Sequence, residues 1–143
     1  MIRQKTTEQL IREIGQENVI TASEDLLVLG YDSTPGLHAT PDLVVYPASS
    51  EQVQIVMQIA CDNDLPITPR GSGTGLSGGS IPVNGGIVIC LNKLNKILEI
   101  DEENLTATCQ AGVVTLDLFN AVAEKGLFYP PDPASLKFST LGG

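Results

Sequence analysis

At 143 residues, with 42% hydrophobic and 17% charged side chains, the chain has the make-up of one folded domain and not of a disordered segment. A net charge of −9, with only eight Lys and Arg in scattered positions, speaks against nucleic acid as a partner, because phosphate backbones are held by clustered cations. No apolar run approaches the ~20 residues of a membrane span, and the charged start MIRQKTTEQLIREIG lacks the apolar centre of a signal peptide.

In chain order, Thr7 to Gly15 predicts a first helix, with Leu10, Ile11 and Ile14 on one face and Gly15 as its stop. Residues 16–40 are less regular: a short run LLVLG, then the extended loop YDSTPGLHATP. DLVVYP is an apolar strand stopped by Pro47. Ser49 and Gln52 form a capping box for a helix whose inner face would carry Val53, Val56, Met57 and Ala60. Pro66 closes that helix and PIT makes a brief second strand. Beyond a glycine-rich stretch, GIVICL is a buried strand, NKLNK suits one helical turn, and ILEID with LTATCQA reads as a hairpin. Thr115 is expected to cap a last helix, with Asp117 in its first turn, Lys125 in its last, Gly126 beyond it, and Leu118, Phe119, Val122 and Ala123 inward. LFYPPDPASLKFSTLGG has no periodicity. Several strands in a row after one crossover give an α+β class, not a regular βαβαβ series.

Cys61, Cys90 and Cys109 are far apart, with no CxxC pair, and read as reduced, buried thiols of a cytoplasmic protein. One histidine, His38, and no Cys/His cluster leave no self-contained metal site or triad. His38 suits a surface or structural role better than catalysis.

The stretch from Pro69 to Gly86, PRGSGTGLSGGSIPVNGG, carries the chemistry. Gly73 to Gly78 spells GxGxxG, which in a dinucleotide fold ends a strand and opens a helix. The following Gly79, Pro82 and Gly85-Gly86 cannot sustain a helix. A P-loop needs Lys after its last glycine, and position 79 is Gly. What remains is a helix-free nest, in which glycines aim backbone N–H groups at an anion and Ser72, Thr74, Ser77 and Ser80 add hydroxyls. A mobile connector is the alternative.

PDLVVYPASSEQVQIV, ITPRGSGTGLSGGSIPVNGGIVICLNKLNKILEID, ATCQAGVVTLDL, YPPDPAS and STLGG together resemble the FAD-binding domain of the FAD-linked oxidases. This is the vanillyl-alcohol oxidase and p-cresol methylhydroxylase (PCMH) superfamily, in its glycolate oxidase and D-lactate dehydrogenase branch. The resemblance implies a PCMH-type α+β fold, with the first α/β subdomain and the start of the second, truncated. Residues 1–40 would be an N-terminal helical segment and loop, and 41–143 an incomplete FAD-binding domain. It implies a pyrophosphate cradle from Pro69, Arg70, Gly71, Ser72, Gly73, Thr74, Gly75 and Leu76, continued by Gly78 and Gly79. Pro131, Asp132 and Ser135 match a PDP-x-S stretch that lines the cofactor, and Thr140, Gly142 and Gly143 the start of T-x-G-G. Asp132 also reads as a plain turn residue, and Arg70 as either a phosphate neutraliser or an exposed loop arginine. Some relatives bind flavin covalently through a histidine in the loop; Thr74 stands at the matching place, which implies non-covalent FAD.

Relatives continue beyond the position of Gly143 into a substrate domain that binds the hydroxy acid and takes its proton. The chain is therefore expected to be the N-terminal part of an FAD-dependent 2-hydroxy-acid dehydrogenase or oxidase, acting on glycolate or D-lactate when complete. It would contribute no catalytic residue of its own and be silent alone, with an oligomer or partner subunit covering its unfinished surface. The competing expectations are a non-catalytic interaction module and another flavin oxidoreductase of the same superfamily.

Overall fold

The computed structural model describes residues 2–142. Four strands form the main sheet: β1 (Val19–Ile20), β2 (Leu43–Val45), β3 (Ile67–Arg70) and β4 (Ile87–Cys90). Their spatial order is β1-β2-β4-β3; β2, β4 and β3 run parallel, and β1 pairs antiparallel with β2. The last strand in sequence is thus inserted between its two parallel neighbours.

Parallel strands covered on both faces read as unbroken apolar runs, and this explains LVV and IVIC. One face places Leu43, Val45, Ile87 and Ile89 against two helices, α1 (Gln4–Ile14) and α3 (Ser50–Asp62), through Leu10, Ile14, Val56, Ile59 and Ala60. The other face places Val44, Val88 and Cys90 against Leu26 of α2 (Ser23–Val28). The N-terminal residues therefore share the core of the sheet. A second cluster gathers Val113, Leu118 and Val122 where α4 (Thr115–Ala123) packs on the β5–β6 hairpin (Ile97–Asp101, Thr106–Cys109). A parallel α/β unit beside an antiparallel unit is the mixed class expected.

The differences are local. The first helix starts at Gln4, not Thr7, after Arg3. LLVLG lies in α2 and the turn after it, where only Leu26 points fully inward; Leu27 and Val28 stay exposed, so no stripe announces the helix. β1 is two residues long and too short for a pattern. On α3 Ile59 joins Val56 and Ala60 inside, while Met57 is exposed and Val53 half-buried. Ser49 Oγ accepts the Gln52 N–H at 3.3 Å, and Gln52 Oε1 accepts the Ala48 N–H at 2.7 Å, one residue before the cap. NKLNK makes a hydrogen-bonded turn, Leu94 N–H to Leu91 O at 2.9 Å, and no helix. Thr115 does not cap α4: the cap is Val114, and the Thr115 hydroxyl instead donates to Ser139 O at 3.0 Å. Cys61 is exposed, Cys90 buried and Cys109 half-buried.

Candidate functional site

Because β3 and β4 are parallel, the chain leaving Arg70 must return to the far end of the sheet before β4 begins. Such a crossover ordinarily contains a helix. Here residues 71–86 make it as an open loop. At Gly73 the backbone is left-handed, φ +71°, and a Cβ there would lie 2.2 Å from Arg70 Nη2. Only glycine fits both requirements.

Arg70 is buried, neither an exposed loop arginine nor part of the cleft wall. Its Nη1 donates to Tyr31 O at 2.8 Å and to Ser80 Oγ at 3.4 Å, bracing the loop from beneath. Residues 31–34 hold the other side. Ser33 N–H donates to Gly75 O at 3.1 Å, and Gly78 N–H donates to Thr34 Oγ1 at 2.7 Å. Asp32, buried, accepts the Thr34 N–H at 2.8 Å and the Ser80 hydroxyl at 3.3 Å. Burial opposes ionisation of Asp32, but the hydrogen bonds from Thr34 and Ser80 outweigh it and hold the carboxyl below the ordinary aspartate value.

The braced loop walls a cleft of about 270 Å³. Pro69, Gly71, Ser72, Gly73, Thr74, Gly75, Leu76 and Gly79 line it, with Ser77 and Ser80 among the hydroxyls. Thr140 and Gly142 close it from the C-terminal segment. That segment is docked by Leu141 N–H to Val113 O (2.9 Å) and Gly142 N–H to Ala111 O (2.8 Å). A side chain on Gly142 would strike Ala111 Cβ at 2.6 Å. Gly78 stands behind the wall with its N–H spent on Thr34. Pro131 and Asp132 are exposed in an irregular stretch and Ser135 is half-buried in the 134–138 turn; all three are outside the lining. Gly143 lies outside the described residues. His38 is exposed, also outside the lining. Asp32 is the wall residue that sequence reading missed. Its one local sign is the turn-forming Asp-Ser-Thr that lets the carboxylate accept the N–H two residues on.

Two observations test the cleft as an anion site. Among the described residues no hydrogen bond uses the N–H groups of residues 72–77, so a run of donors is open to a ligand or to solvent. The Thr140 hydroxyl is buried and has no partner among the described residues. A buried hydroxyl without a partner is costly unless something in the cleft engages it. Amides, hydroxyls and glycines that admit close approach suit the pyrophosphate of a flavin dinucleotide. Behind the cleft, burial raises the Cys90 thiol, and burial with the neighbouring Cys90 pushes Tyr46 up to about 12. Neither lines the cleft, and Asp32 is the only ionisable side chain that does among the described residues.

Residues 41–143 match the family model described as FAD binding domain. The chain is 50% identical over its full length to the glycolate oxidase subunit GlcD of Bacillus subtilis (strain 168), covering 30% of that protein. It is 44% identical over 73% of its length to a D-lactate dehydrogenase of Anaerostipes hadrus, covering 22% of it. Among solved structures, p-cresol methylhydroxylase with substrate bound superposes over 88% of this chain and 26% of that one, with a TM-score of 0.77 and 28% identity. The chain thus spans less than a third of the length of these relatives.

Proposed function

From the premise that the chain belongs to the FAD binding domain family, we propose that it is the cofactor-holding part of an oxidoreductase that converts a 2-hydroxy acid, such as glycolate or D-lactate, to the 2-oxo acid. The observation that carries the reading is that one cleft is lined both by the loop, whose residue 72–77 N–H groups have no hydrogen-bond partner among the described residues, and by Thr140, whose buried hydroxyl has none either. Bound FAD would supply the redox chemistry by accepting a hydride. The chain's own residues bind and orient. The N–H groups of 72–77 and the hydroxyls of Ser72, Thr74, Ser77 and Thr140 take phosphate oxygens, and the glycines keep Cβ atoms out of the way. Thr74 offers no nucleophilic ring nitrogen to the flavin, so the cofactor is held non-covalently. Residues that bind the hydroxy acid and take its proton belong to the remainder of a longer enzyme. A cytoplasmic setting accords with three free cysteines; no helix among the described residues is long and apolar enough to cross a membrane.

Equilibrium titration of the purified chain with FAD and with riboflavin tests the cradle. FAD is expected to bind and riboflavin, which lacks the phosphates, to bind at least about tenfold more weakly. Equal affinities would remove the pyrophosphate from the reading. Glycolate or D-lactate added to the FAD-loaded chain should leave the flavin absorbance unchanged, and bleaching would show that the chain carries its own catalytic groups.

A further inference from the structure

The charges around the cleft bear on which phosphate ligands it accepts, given the pyrophosphate reading above. No Lys or Arg lines it among the described residues. Arg70, at the start of the loop, is turned beneath it with Nη1 committed to Tyr31 O and Ser80 Oγ. Asp32 is in the wall, its Oδ2 3.7 Å from where a Cβ on Gly75 would stand. Two donors, the Thr34 N–H and the Ser80 hydroxyl, fix its carboxylate in place. With Asp32 in the lining and Arg70 outside it, an incoming anion meets amides, hydroxyls and one carboxylate, and no cationic side chain among the described lining residues.

Ligands differ in how much charge they bring to such a wall. A terminal phosphate monoester carries about −1.5 to −2 near neutral pH because it ionises twice. A phosphate esterified on both sides lacks the second ionisation. Each added unit of like charge beside a fixed carboxylate, partly withdrawn from water, lowers affinity by roughly tenfold.

We propose that the Asp32 carboxylate makes the cleft selective for a pyrophosphate esterified at both ends, the linkage found in dinucleotides, over nucleoside di- and triphosphates that end in a free phosphate. Asp32 acts as a specificity determinant by repulsion, while the loop amides supply the attraction.

The test compares affinities of the purified chain for FAD, ADP and ATP in metal-free buffer, for the native protein and for Asp32→Asn, Asp32→Ser and Asp32→Glu. In both neutral variants ADP and ATP are expected to gain on FAD by about tenfold, with ATP gaining more than ADP. Asp32→Glu, which keeps the charge, should preserve the native order. The affinity ratio is the deciding readout, because a loosened loop would weaken all three ligands together. Ratios unchanged in the neutral variants overturn the selectivity role. A native chain that binds FAD no better than riboflavin fails earlier, without any substitution, and overturns the pyrophosphate reading on which the role rests.

Discussion

Gly73 and Gly79 are both cradle glycines, yet the backbone asks different things of them. Gly73 needs a left-handed φ and sits on the Arg70 guanidinium, whereas a Cβ at Gly79 would meet nothing within 4 Å. Gly73→Ala is expected to weaken FAD binding by about tenfold or more, and Gly79→Ala to leave it nearly unchanged, by the same flavin titration. Asp32 adds a pH dependence. Its carboxyl titrates lower in the folded chain, so the stability it contributes is present above the unfolded aspartate value and is lost as pH falls through the folded one. Urea midpoints of Asp32→Asn should therefore fall less steeply than the native ones on acidification below about pH 4. The glycines of the loop were legible because their pattern is local. Asp32 was not: its partner Ser80 lies 48 positions away, and nothing near Asp32 in sequence announces that contact.

At the scale of the elements, α3 depends on its first turn. Ser49→Ala removes the side-chain acceptor of the Gln52 N–H and should cost about 1 kcal/mol in denaturant unfolding. In the β5–β6 turn, Asp101 accepts the N–H groups of Glu103 and Asn104, and Leu105 is exposed with φ +55°. Leu105→Asn, a residue that tolerates this conformation, should stabilise the hairpin by roughly 0.5 kcal/mol, read as a raised melting temperature. α3 and β4 were readable for different reasons: α3 has the Ser49 cap and a helical apolar period, and β4 is the unbroken apolar run IVIC. β1 and α2 were not. Val19–Ile20 has no room for alternation, and α2 turns only Leu26 fully inward. Thr115 looked like a cap because its residue type favours that role, but the Ser139 carbonyl, met only after folding, competes for its hydroxyl.

In the molecule as a whole, the two cores are unequal. The sheet is buried on both faces between α1, α3 and α2, while the hairpin unit rests on Val113, Leu118 and Val122 with half-buried neighbours. Local opening follows buried apolar contact, so amides of β5 and β6 should exchange with solvent faster than those of β2 and β4. Thiol labelling offers a second reading: Cys61 should react in the native state, and Cys90 only on the time course of sheet unfolding. The placing of β4 between β2 and β3 has a kinetic consequence. Until that central strand is threaded into its slot, the segment joining it to β3 has both ends unanchored and the cradle has no shape. Ligand should then bind only after the slowest, longest-range pairing is made, and so should leave the refolding rate alone while lengthening the lifetime of the folded chain.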